Sequence, residues 1–405
     1  MFKAAVKLKD SLKYLLVPGV LFEEFGFKYY GPINGHDLPA LMTVLENVKG
    51  INRPVLIHVE TKKGKGYAPA EKNPDLFHGV SPFHIQTGEL KKKSTVPTYT
   101  SVFGKTLAEL GAQDDRIVGI TAAMGKGTGI NVFQEQFPAR TIDVGIAEEH
   151  AVTMAAAMAL DVYKPVVAIY STFLQRAYDQ VMHDVALQNA PVVFCLDRAG
   201  LVGDDGPTHH GIFDVSYLRH IPNMVCMAPK DENELRHMLN SALTYNCPVA
   251  MRYPRGEGLG VPMDEALQVL PLGKAEVLQE GDKVTLLALG SMVHIAEQAA
   301  ERLQAELGIT PTVINARFAK PLDADTILQY AGQDTLLVTL EEQAVTGGFG
   351  SAVLELYNQH GIDARNVLTI GIADSFVQHG NTARLKEMQG LDVESVVAKV
   401  KERLG

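Results

Sequence analysis

The sequence is poor in the features that mark secreted, nucleic-acid-binding and membrane-spanning proteins. Its three cysteines, Cys195, Cys226 and Cys247, are odd in number and lack metal-ligand spacing, which favours a reduced, cytosolic protein. The formal net charge is -10 and no basic run exceeds Lys91–Lys93, so neither nucleic acid nor an anionic membrane is expected as a partner. Uninterrupted apolar runs fall short of the ~20 residues of a spanning helix.

What the sequence does contain is the composition of an ordinary globular protein. Of its 405 residues, 46% are hydrophobic and 21% are charged, and this length is typical of two to three domains. The basic and apolar start is similar to a signal peptide, but Pro18-Gly19 interrupts the apolar run, Glu23-Glu24 follows it and no small-residue cleavage site is found. We therefore expect no targeting segment.

Residues 1–85 form the first of three sections. They contain one helical pattern over Asp37–Val48, one strand over Pro54–Val59 and a Gly/Lys-rich loop over Thr61–Tyr67. These elements are too few to enclose a hydrophobic core. The section is therefore predicted to be the last part of a larger N-terminal domain, and a polar linker over 86–100 follows it.

Residues 101–262 alternate short apolar strands with longer helical patterns, which predicts an α/β fold with a doubly wound parallel sheet. Ligands of such sheets bind at the carboxyl ends of the strands. Residues 270–405 repeat the alternation and predict a second, smaller α/β domain. The predicted strands are Ile117–Thr121, Thr141–Val144, Lys164–Tyr170, Pro191–Asp197 and Met224–Met227 in the middle section, and Lys283–Leu289, Pro311–Asn315 and Thr335–Thr339 in the last.

The segment Asp143–Thr153 places a carboxylate where a strand passes into a helix. Glu148 follows a short apolar strand and precedes the small apolar run Ala155–Ala159, which is typical of a helix packed closely on a sheet. A carboxylate held there can accept a proton from a ring nitrogen of a cofactor. The alternative is that Glu148 only complements the positive end of its helix.

Further chemical side chains follow the next predicted strands. Tyr170, Phe173 and Arg176 come at the carboxyl end of the third strand of the middle section, and Arg198 follows the fourth. The strand ends bring these residues to the edge that Glu148 borders. Taken singly, Phe173 is explained by core packing and Arg176 by a solvated helix surface.

A glycine-rich loop follows Arg198. Its residues Asp205, His209 and His210 combine proton-transfer groups with a backbone that can approach a ligand closely. Zinc binding is an alternative for the two histidines, but adjacent histidines project in different directions and no nearby cysteine completes a ligand set. Arg255 adds a further basic group, and several arginines at strand ends indicate a phosphorylated substrate.

Six segments carry a likeness to a known family: Gly31–Asp37, Lys62–Lys72, Ile146–Thr153, Tyr170–Gln180, Asp197–Gly203 and Gly206–Gly211. They resemble the 1-deoxy-D-xylulose-5-phosphate synthases, transketolase-like enzymes that use thiamine diphosphate. The resemblance runs from end to end of the chain. It implies a remnant of the N-terminal diphosphate-binding domain in 1–85, a pyrimidine-binding domain in 101–262 and a transketolase-type C-terminal domain in 270–405.

The resemblance also implies a transferase reaction and the roles of single residues. Such enzymes condense pyruvate, with loss of carbon dioxide, with D-glyceraldehyde 3-phosphate, and they feed isoprenoid (non-mevalonate), thiamine and pyridoxal biosynthesis. Catalytic Glu148 would contact the aminopyrimidine ring of thiamine diphosphate, with Phe173 stacked on the ring and Tyr67 beside the cofactor. The other implied site residues are Tyr170, Arg176, Arg198 and Arg255, which would hold the triose phosphate, and Asp205, His209 and His78, which would serve substrate positioning and proton transfer.

One motif of the family is not found in the sequence. The family holds the diphosphate through Mg²⁺, using a Gly-Asp-Gly motif and a later Asn in its N-terminal domain, whereas these 405 residues contain no Gly-Asp-Gly. The segment Gly203–Gly206 imitates the motif but continues into the substrate loop, so no metal ligand is assigned here. We therefore expect an N-terminally truncated synthase that binds the diphosphate weakly and is inactive alone.

The cysteine content favours a cytoplasmic protein, and the resemblance further implies a homodimer, because family members pair through their middle and C-terminal domains. Two other interpretations stay open. One is the C-terminal subunit of a split transketolase-type enzyme, although such a subunit would begin near the linker and residues 1–85 carry N-terminal-domain sequence. The other is a non-catalytic relative that kept the fold, although the chemical residues named above are all present.

Overall fold

The chain folds into two compact units, Met1–Ser94 and Thr95–Gly405. The computed structural model describes residues 19–80, 82–91, 95–332 and 335–405. Its strands are β1 Lys28–Asn34, β2 Val55–Glu60, β3 Ile117–Thr121, β4 Thr141–Asp143, β5 Lys164–Tyr170, β6 Val193–Ala199, β7 Val225–Met227, β8 Val249–Pro254, β9 Glu276–Gln279, β10 Val284–Ala288, β11 Thr312–Asn315, β12 Phe318–Lys320, β13 Leu336–Ala344 and β14 Val367–Ile372.

Helices connect most of these strands. The α-helices are Val20–Glu24, Leu38–Val48, Ala68–Lys72, Tyr99–Gln113, Gly125–Thr128, Ile130–Gln136, Glu148–Leu160, Ser171–Leu174, Tyr178–Gln180, Asp214–Leu218, Glu232–Ala242, Met292–Leu307, Ala324–Gln329, Phe349–Gln359, Thr382–Gln389 and Val393–Leu404. Short 3₁₀ turns are Leu76–His78, Pro138–Arg140, Gln175–Ala177, Gly206–Thr208 and Ala364–Asn366, and Val181–Ala186 is π-helical. Across the described residues, no helix has both the length and the apolar character needed to cross a membrane.

The first unit contains a β-α-β motif. Strands β1 and β2 pair in parallel, and the helix Leu38–Val48 joins them. The sequence prediction of a single strand in this section was wrong, because Gly31-Pro32 interrupts the apolar pattern of β1. Of the residues described in this unit, only Val20 and Ala70 are buried, which agrees with a section too small to enclose a core.

The second unit is built around a seven-stranded sheet with the strand order β12-β7-β8-β6-β5-β3-β4. Strands β3 to β8 pair in parallel, and β12 closes one edge antiparallel to β7. Since β3 lies between β4 and β5, the strand order reverses there, and such a reversal opens a crevice at the carboxyl ends of the strands. The predicted doubly wound parallel sheet is confirmed.

Two strands of this sheet correct the sequence prediction. β8 is an interior strand between β6 and β7, but Arg252 and Pro254 break the apolar pattern from which a buried strand is predicted. β12 follows residue 270 in the sequence and yet joins the middle sheet, which no local pattern reveals.

The C-terminal section folds around a five-stranded sheet with the order β14-β13-β10-β11-β9, in which only β9 is antiparallel. β9 and β14 are additions to the predicted strands. Helix Met292–Leu307 buries Met292, Ala299 and Leu303, and Ile295 is half-buried. The apolar face predicted for this helix is therefore confirmed.

Candidate active site

The candidate active site lies at the carboxyl ends of β3, β5, β6 and β8. These strands are consecutive neighbours in the sheet and run parallel, so the residues that follow them gather along one edge. The helix that begins at Glu148 follows β4, which pairs with the other side of β3. The edge therefore collects residues from five separate parts of the sequence.

Glu148 is buried at the first turn of its helix, with a relative exposure of 2%. A buried carboxylate requires a compensating partner, and Arg176 Nη1 lies 2.5 Å from Glu148 Oε1. The turn before the helix is fixed by Asp143, whose Oδ1 accepts hydrogen bonds from the N–H groups of Ala123 and Gly145. Glu148 thus does not point into bulk solvent.

An aromatic wall stands next to this carboxylate. The Phe173 ring stacks on the Tyr170 ring at a centroid distance of 5.7 Å and meets the His209 ring edge-on at 5.3 Å. The Arg176 guanidinium lies 4.8 Å from the centre of the Phe173 ring. Because the Arg176 guanidinium contacts both Glu148 and Phe173, the carboxylate and the aromatic ring are close enough for one planar group to contact both.

Tyr170 and Arg198 form the neighbouring part of the edge. The Arg198 guanidinium lies 3.7 Å from the centre of the Tyr170 ring, which is a cation–π contact. Its Nη1 donates to the Gly127 carbonyl at 2.6 Å. A Cβ on Gly127 would lie 1.8 Å from Tyr170 Oη, so only glycine leaves room for the tyrosine at this position.

Asp197 forms an ion pair with Arg198. Its side chain is fully buried, Oδ1 lies 2.9 Å from Arg198 Nη1 and Oδ2 accepts a hydrogen bond from Thr100 Oγ1 at 2.7 Å. Burial raises the pKa of Asp197 to about 6 even though Arg198 and Thr100 oppose the shift. Arg198 itself has a left-handed backbone with φ of 64°, a strained conformation of the kind found at functional sites.

The glycine-rich loop completes the edge. Asp205 Oδ2 lies 2.7 Å from Arg255 Nη1, and both side chains are partly exposed at 39%. His209 Nδ1 is hydrogen-bonded to Thr208 Oγ1 at 2.9 Å. His210 is instead buried, and its two ring nitrogens contact the Val202 N–H and the Gln378 carbonyl. The two histidines therefore lie in different surroundings.

A buried ion pair lies beneath the edge. Arg252 Nε lies 3.0 Å from both carboxylate oxygens of Asp214, which also accepts a hydrogen bond from Ser171 Oγ at 2.9 Å. Arg252 Nη2 donates to the Gly211 carbonyl at 3.1 Å. Of the two arginines in the Arg252–Arg255 motif, only Arg255 is therefore accessible to a ligand.

Tyr67 and His78 belong to the first unit. Tyr67 packs in an aromatic cluster with Phe77 and Phe83, at centroid distances of 5.5 and 5.9 Å, and its hydroxyl donates to the Ile85 carbonyl. His78 is exposed at the end of a 3₁₀ turn. Their predicted places beside the cofactor and the substrate stay predictions.

Three supporting residues of the site were not predicted from the sequence: Gly127, Asp197 as a buried acid, and Thr100. The glycine-rich run Gly125–Gly129 after β3 is the one local signal for them, because glycine at a strand end permits close approach of neighbouring groups. Thr100 gives no local signal, since its partner is 97 residues away.

Three family profiles match parts of the chain. Residues 95–259 match the family profile "Transketolase, pyrimidine binding domain", residues 273–396 match "Transketolase, C-terminal domain" and residues 1–61 match "1-deoxy-D-xylulose-5-phosphate synthase". The 1-deoxy-D-xylulose-5-phosphate synthase of Heliobacterium modesticaldum is 57% identical over 402 residues, which are 99% of this chain and 62% of that protein. That of Pelotomaculum thermopropionicum is 58% identical over 403 residues, 100% of this chain and 63% of that protein.

Solved structures agree with this grouping. A split-gene transketolase, described as an inactive beta4 tetramer, is 31% identical with a TM-score of 0.66, and the match covers 76% of this chain and 98% of that one. A transketolase from Campylobacter jejuni shares the fold at 20% identity and a TM-score of 0.63, over 96% of this chain and 70% of that one. The chain spans less than two thirds of the length of the curated relatives. It belongs to the transketolase family, on the branch of the 1-deoxy-D-xylulose-5-phosphate synthases.

Proposed function

We propose that this chain carries the pyrimidine-binding and substrate-binding half of a 1-deoxy-D-xylulose-5-phosphate synthase. The observation that supports this most strongly is the buried Glu148 carboxylate beside the Phe173 ring, with Arg176 in contact with both. A ring that stacks on Phe173 brings a nitrogen within reach of the carboxylate. The reaction is the thiamine-diphosphate-dependent condensation of pyruvate with D-glyceraldehyde 3-phosphate.

The residues present fit the aminopyrimidine part of thiamine diphosphate. Phe173 supplies an aromatic face and Glu148 supplies the proton acceptor, while Arg176, which is half-exposed, can turn toward solvent to admit the ring. When bound, the cofactor supplies the electron sink for decarboxylation. Tyr67 is proposed to lie beside the cofactor, and Mg²⁺ to be held by N-terminal-domain residues outside these 405.

The arginines of the edge fit a phosphorylated substrate. Arg198 is held by Gly127 and Asp197 through one guanidinium nitrogen, so its remaining N–H groups can bind a phosphate. Arg255 is partly exposed and is paired with Asp205 on the loop. We assign the triose phosphate to Tyr170, Arg198 and Arg255, with Arg176 nearby.

The histidines are assigned to proton transfer. His209 makes a T-shaped contact with the Phe173 ring and shares the loop with Asp205, which supports a role for both in positioning the substrate and moving protons. His78 is assigned the same chemistry from the first unit. The expected setting is a homodimer in the cytoplasm, serving isoprenoid, thiamine and pyridoxal biosynthesis; the three free cysteines are compatible with a reducing compartment.

A second candidate is the subunit of a split transketolase-type enzyme. The observation that favours it is the match to almost the whole of the split-gene transketolase chain, whose beta4 tetramer is described as inactive. Either candidate predicts that the present chain alone does not turn over, because its 405 residues contain no Gly-Asp-Gly. They differ in how the diphosphate-binding half must be supplied: as part of the same chain for the synthase, and as a separate chain for the split enzyme.

The test is a joined protein. The part of the Heliobacterium relative that the match does not cover is fused in front of this chain, or supplied as a separate chain. Product is assayed with pyruvate, D-glyceraldehyde 3-phosphate, thiamine diphosphate and Mg²⁺. We expect turnover from the fusion and none from the 405-residue chain alone. The turnover rate of the fusion that carries Glu148→Gln is expected to be lower by at least about 100-fold. Full turnover by the Glu148→Gln fusion refutes the proposed role.

A further inference from the structure

The loop that carries Asp205 and His209 is hydrogen-bonded near its start to a buried carboxylate of the C-terminal domain. In this loop, Gly200–Gly211, the Leu201 N–H donates to Glu342 Oε1 at 2.9 Å. Glu342 is 2% exposed and lies on β13, a strand of the five-stranded C-terminal sheet and not of the seven-stranded sheet. A hydrogen bond to a buried charged acceptor is among the stronger contacts that can fix a loop.

The charge of Glu342 is compensated on its other side. Lys386 Nζ lies 2.7 Å and Ser291 Oγ 2.8 Å from Oε2. Burial alone raises the pKa of Glu342, yet Lys386 and the hydrogen-bond donors hold it below its ordinary value. The carboxylate is therefore ionised where it receives the loop.

The far end of the same loop is fastened by His210. Its Nδ1 accepts a hydrogen bond from the Val202 N–H at 3.1 Å. Because a backbone N–H only donates, the proton of the neutral ring lies on Nε2, which faces the Gln378 carbonyl at 3.3 Å. Burial lowers the pKa of His210, which favours this neutral ring.

Glycines allow the C-terminal domain to approach the loop between these two points. Gly203 has φ of 82°, and a Cβ there would lie 2.7 Å from Thr382 Oγ1. Gly206 has φ of 71°, and a Cβ there would lie 3.0 Å from His379 Cβ. The Gly380 N–H donates to the Gly203 carbonyl at 3.2 Å. The loop thus contacts the C-terminal domain at several points between Leu201 and His210.

We propose that Glu342 and His210 are positioning residues through which the C-terminal domain holds Asp205 and His209 in place for a phosphorylated substrate. The inference rests on the proposed function only for the identity of that substrate. The bonding of the loop is a separate claim, and the two claims are tested by different measurements.

The first measurement is hydrogen–deuterium exchange of peptides from the loop in the 405-residue chain without ligand. We expect Glu342→Ala and His210→Ala to speed exchange over residues 200–211 by about tenfold, with exchange in helix Tyr99–Gln113 unchanged. Glu342→Gln keeps an oxygen for the Leu201 N–H and is expected to stay within about threefold of the unmodified chain. If Glu342→Ala fails to fold, Glu342→Gln and His210→Ala carry the test.

Glu341→Ala is the matched control. Glu341 is adjacent and equally buried, but its carboxylate accepts hydrogen bonds from the Phe349 and Gly350 N–H groups at 2.7 and 2.8 Å. Loss of the Glu341 carboxylate is expected to speed exchange at the start of helix Phe349–Gln359 and not in the loop. Loop exchange that is unchanged in His210→Ala and Glu342→Ala, or equally raised in Glu341→Ala, overturns the proposal.

The second measurement is the affinity of the same variants for inorganic phosphate, by isothermal titration calorimetry. Glu342→Ala and His210→Ala are expected to weaken binding several-fold, and Glu342→Gln to restore most of it. Affinity that is unchanged in a variant whose loop exchanges faster overturns the positioning role. If the unmodified chain binds no phosphate, the proposed substrate site fails, while the exchange result on the loop remains valid.

Discussion

The contact between Gly127 and Tyr170 offers a sharp perturbation of the candidate site. In Gly127→Ala the new Cβ would lie 1.8 Å from Tyr170 Oη and 2.8 Å from Tyr170 Cζ, whereas unbonded heavy atoms approach to about 3.5 Å. The tyrosine must therefore move by roughly 1.5 Å or more. Gly127 has no left-handed φ, so the effect arises from the side chain and not from the backbone.

The energetic cost is expected to fall on binding more than on stability. Overpacking costs about 1–3 kcal/mol, and the half-buried Tyr170 can tilt toward solvent, so we expect about 1 kcal/mol of unfolding free energy. The tyrosine also supports Arg198, 3.7 Å from its ring centre. Displacement of that guanidinium is expected to weaken phosphate binding about tenfold, or 1.4 kcal/mol.

Urea unfolding and calorimetric titration with inorganic phosphate measure the two costs separately. Gly125→Ala is the control, because a Cβ at Gly125 meets no atom within 4 Å. In the double variant Gly127→Ala with Tyr170→Phe, the hydroxyl that clashes is gone, so the loss of stability should be smaller than the sum of the single losses. Unchanged phosphate affinity in Gly127→Ala, or an equal loss in Gly125→Ala, would refute the reasoning.

Three further predictions concern buried charges. Arg176→Gln leaves the Glu148 carboxylate without its partner and should lower the free energy of unfolding by about 1–3 kcal/mol, less than a fully buried pair because Arg176 is half-exposed; adding Glu148→Gln should recover most of the loss in urea unfolding. Asp214→Ala removes the carboxylate that Arg252 contacts at 3.0 Å and should cost about 3–5 kcal/mol, and a shift in denaturant midpoint equal to that of an exposed Asp→Ala variant would contradict it. The pKa of Asp197, raised to about 6 by burial, means that the folded chain binds more protons than the unfolded chain between about pH 4 and 6. The stabilisation of the folded state by protonated Asp197 is therefore present below about pH 4 and lost as the pH rises to about 6. Asp197→Asn does not titrate, so its Tm should rise relative to the Tm of the unmodified chain over this pH range. A Tm difference that stays constant from about pH 4 to 6 would contradict the assignment.

The fold could be predicted from the sequence wherever the apolar pattern was local and uninterrupted. β3 and β5 were predicted with the residues that the structure gives them, and β10 and β11 to within a residue or two. β8 could not be predicted, because its buried Arg252 is stabilised by Asp214, which lies 38 residues earlier. β12 could not be predicted because its pairing with β7 joins residues about ninety positions apart.

The candidate site, like the fold, could be predicted only where the signal in the sequence is local. Glu148, Phe173 and His209 follow strands and Arg198 lies in the last residues of β6, and parallel strands bring such residues to one edge. The residues that hold them could not be found in this way. Glu342 reaches the loop at Leu201 across 141 residues, and its burial on β13 depends on Lys386 and Ser291, so only the assembled structure shows that it has a partner in the site.

The central claim is that Glu148 and Phe173 together form the site for the aminopyrimidine ring. Saturation-transfer NMR on thiamine diphosphate mixed with the 405-residue chain tests it most directly, because the method detects weak binding and reports which protons of the ligand touch the protein. We predict strong transfer to the pyrimidine protons, lost in Phe173→Ala, reduced in Glu148→Gln and unchanged in the Gly125→Ala control. Transfer confined to the thiazolium protons, or pyrimidine transfer that neither substitution alters, would contradict the claim.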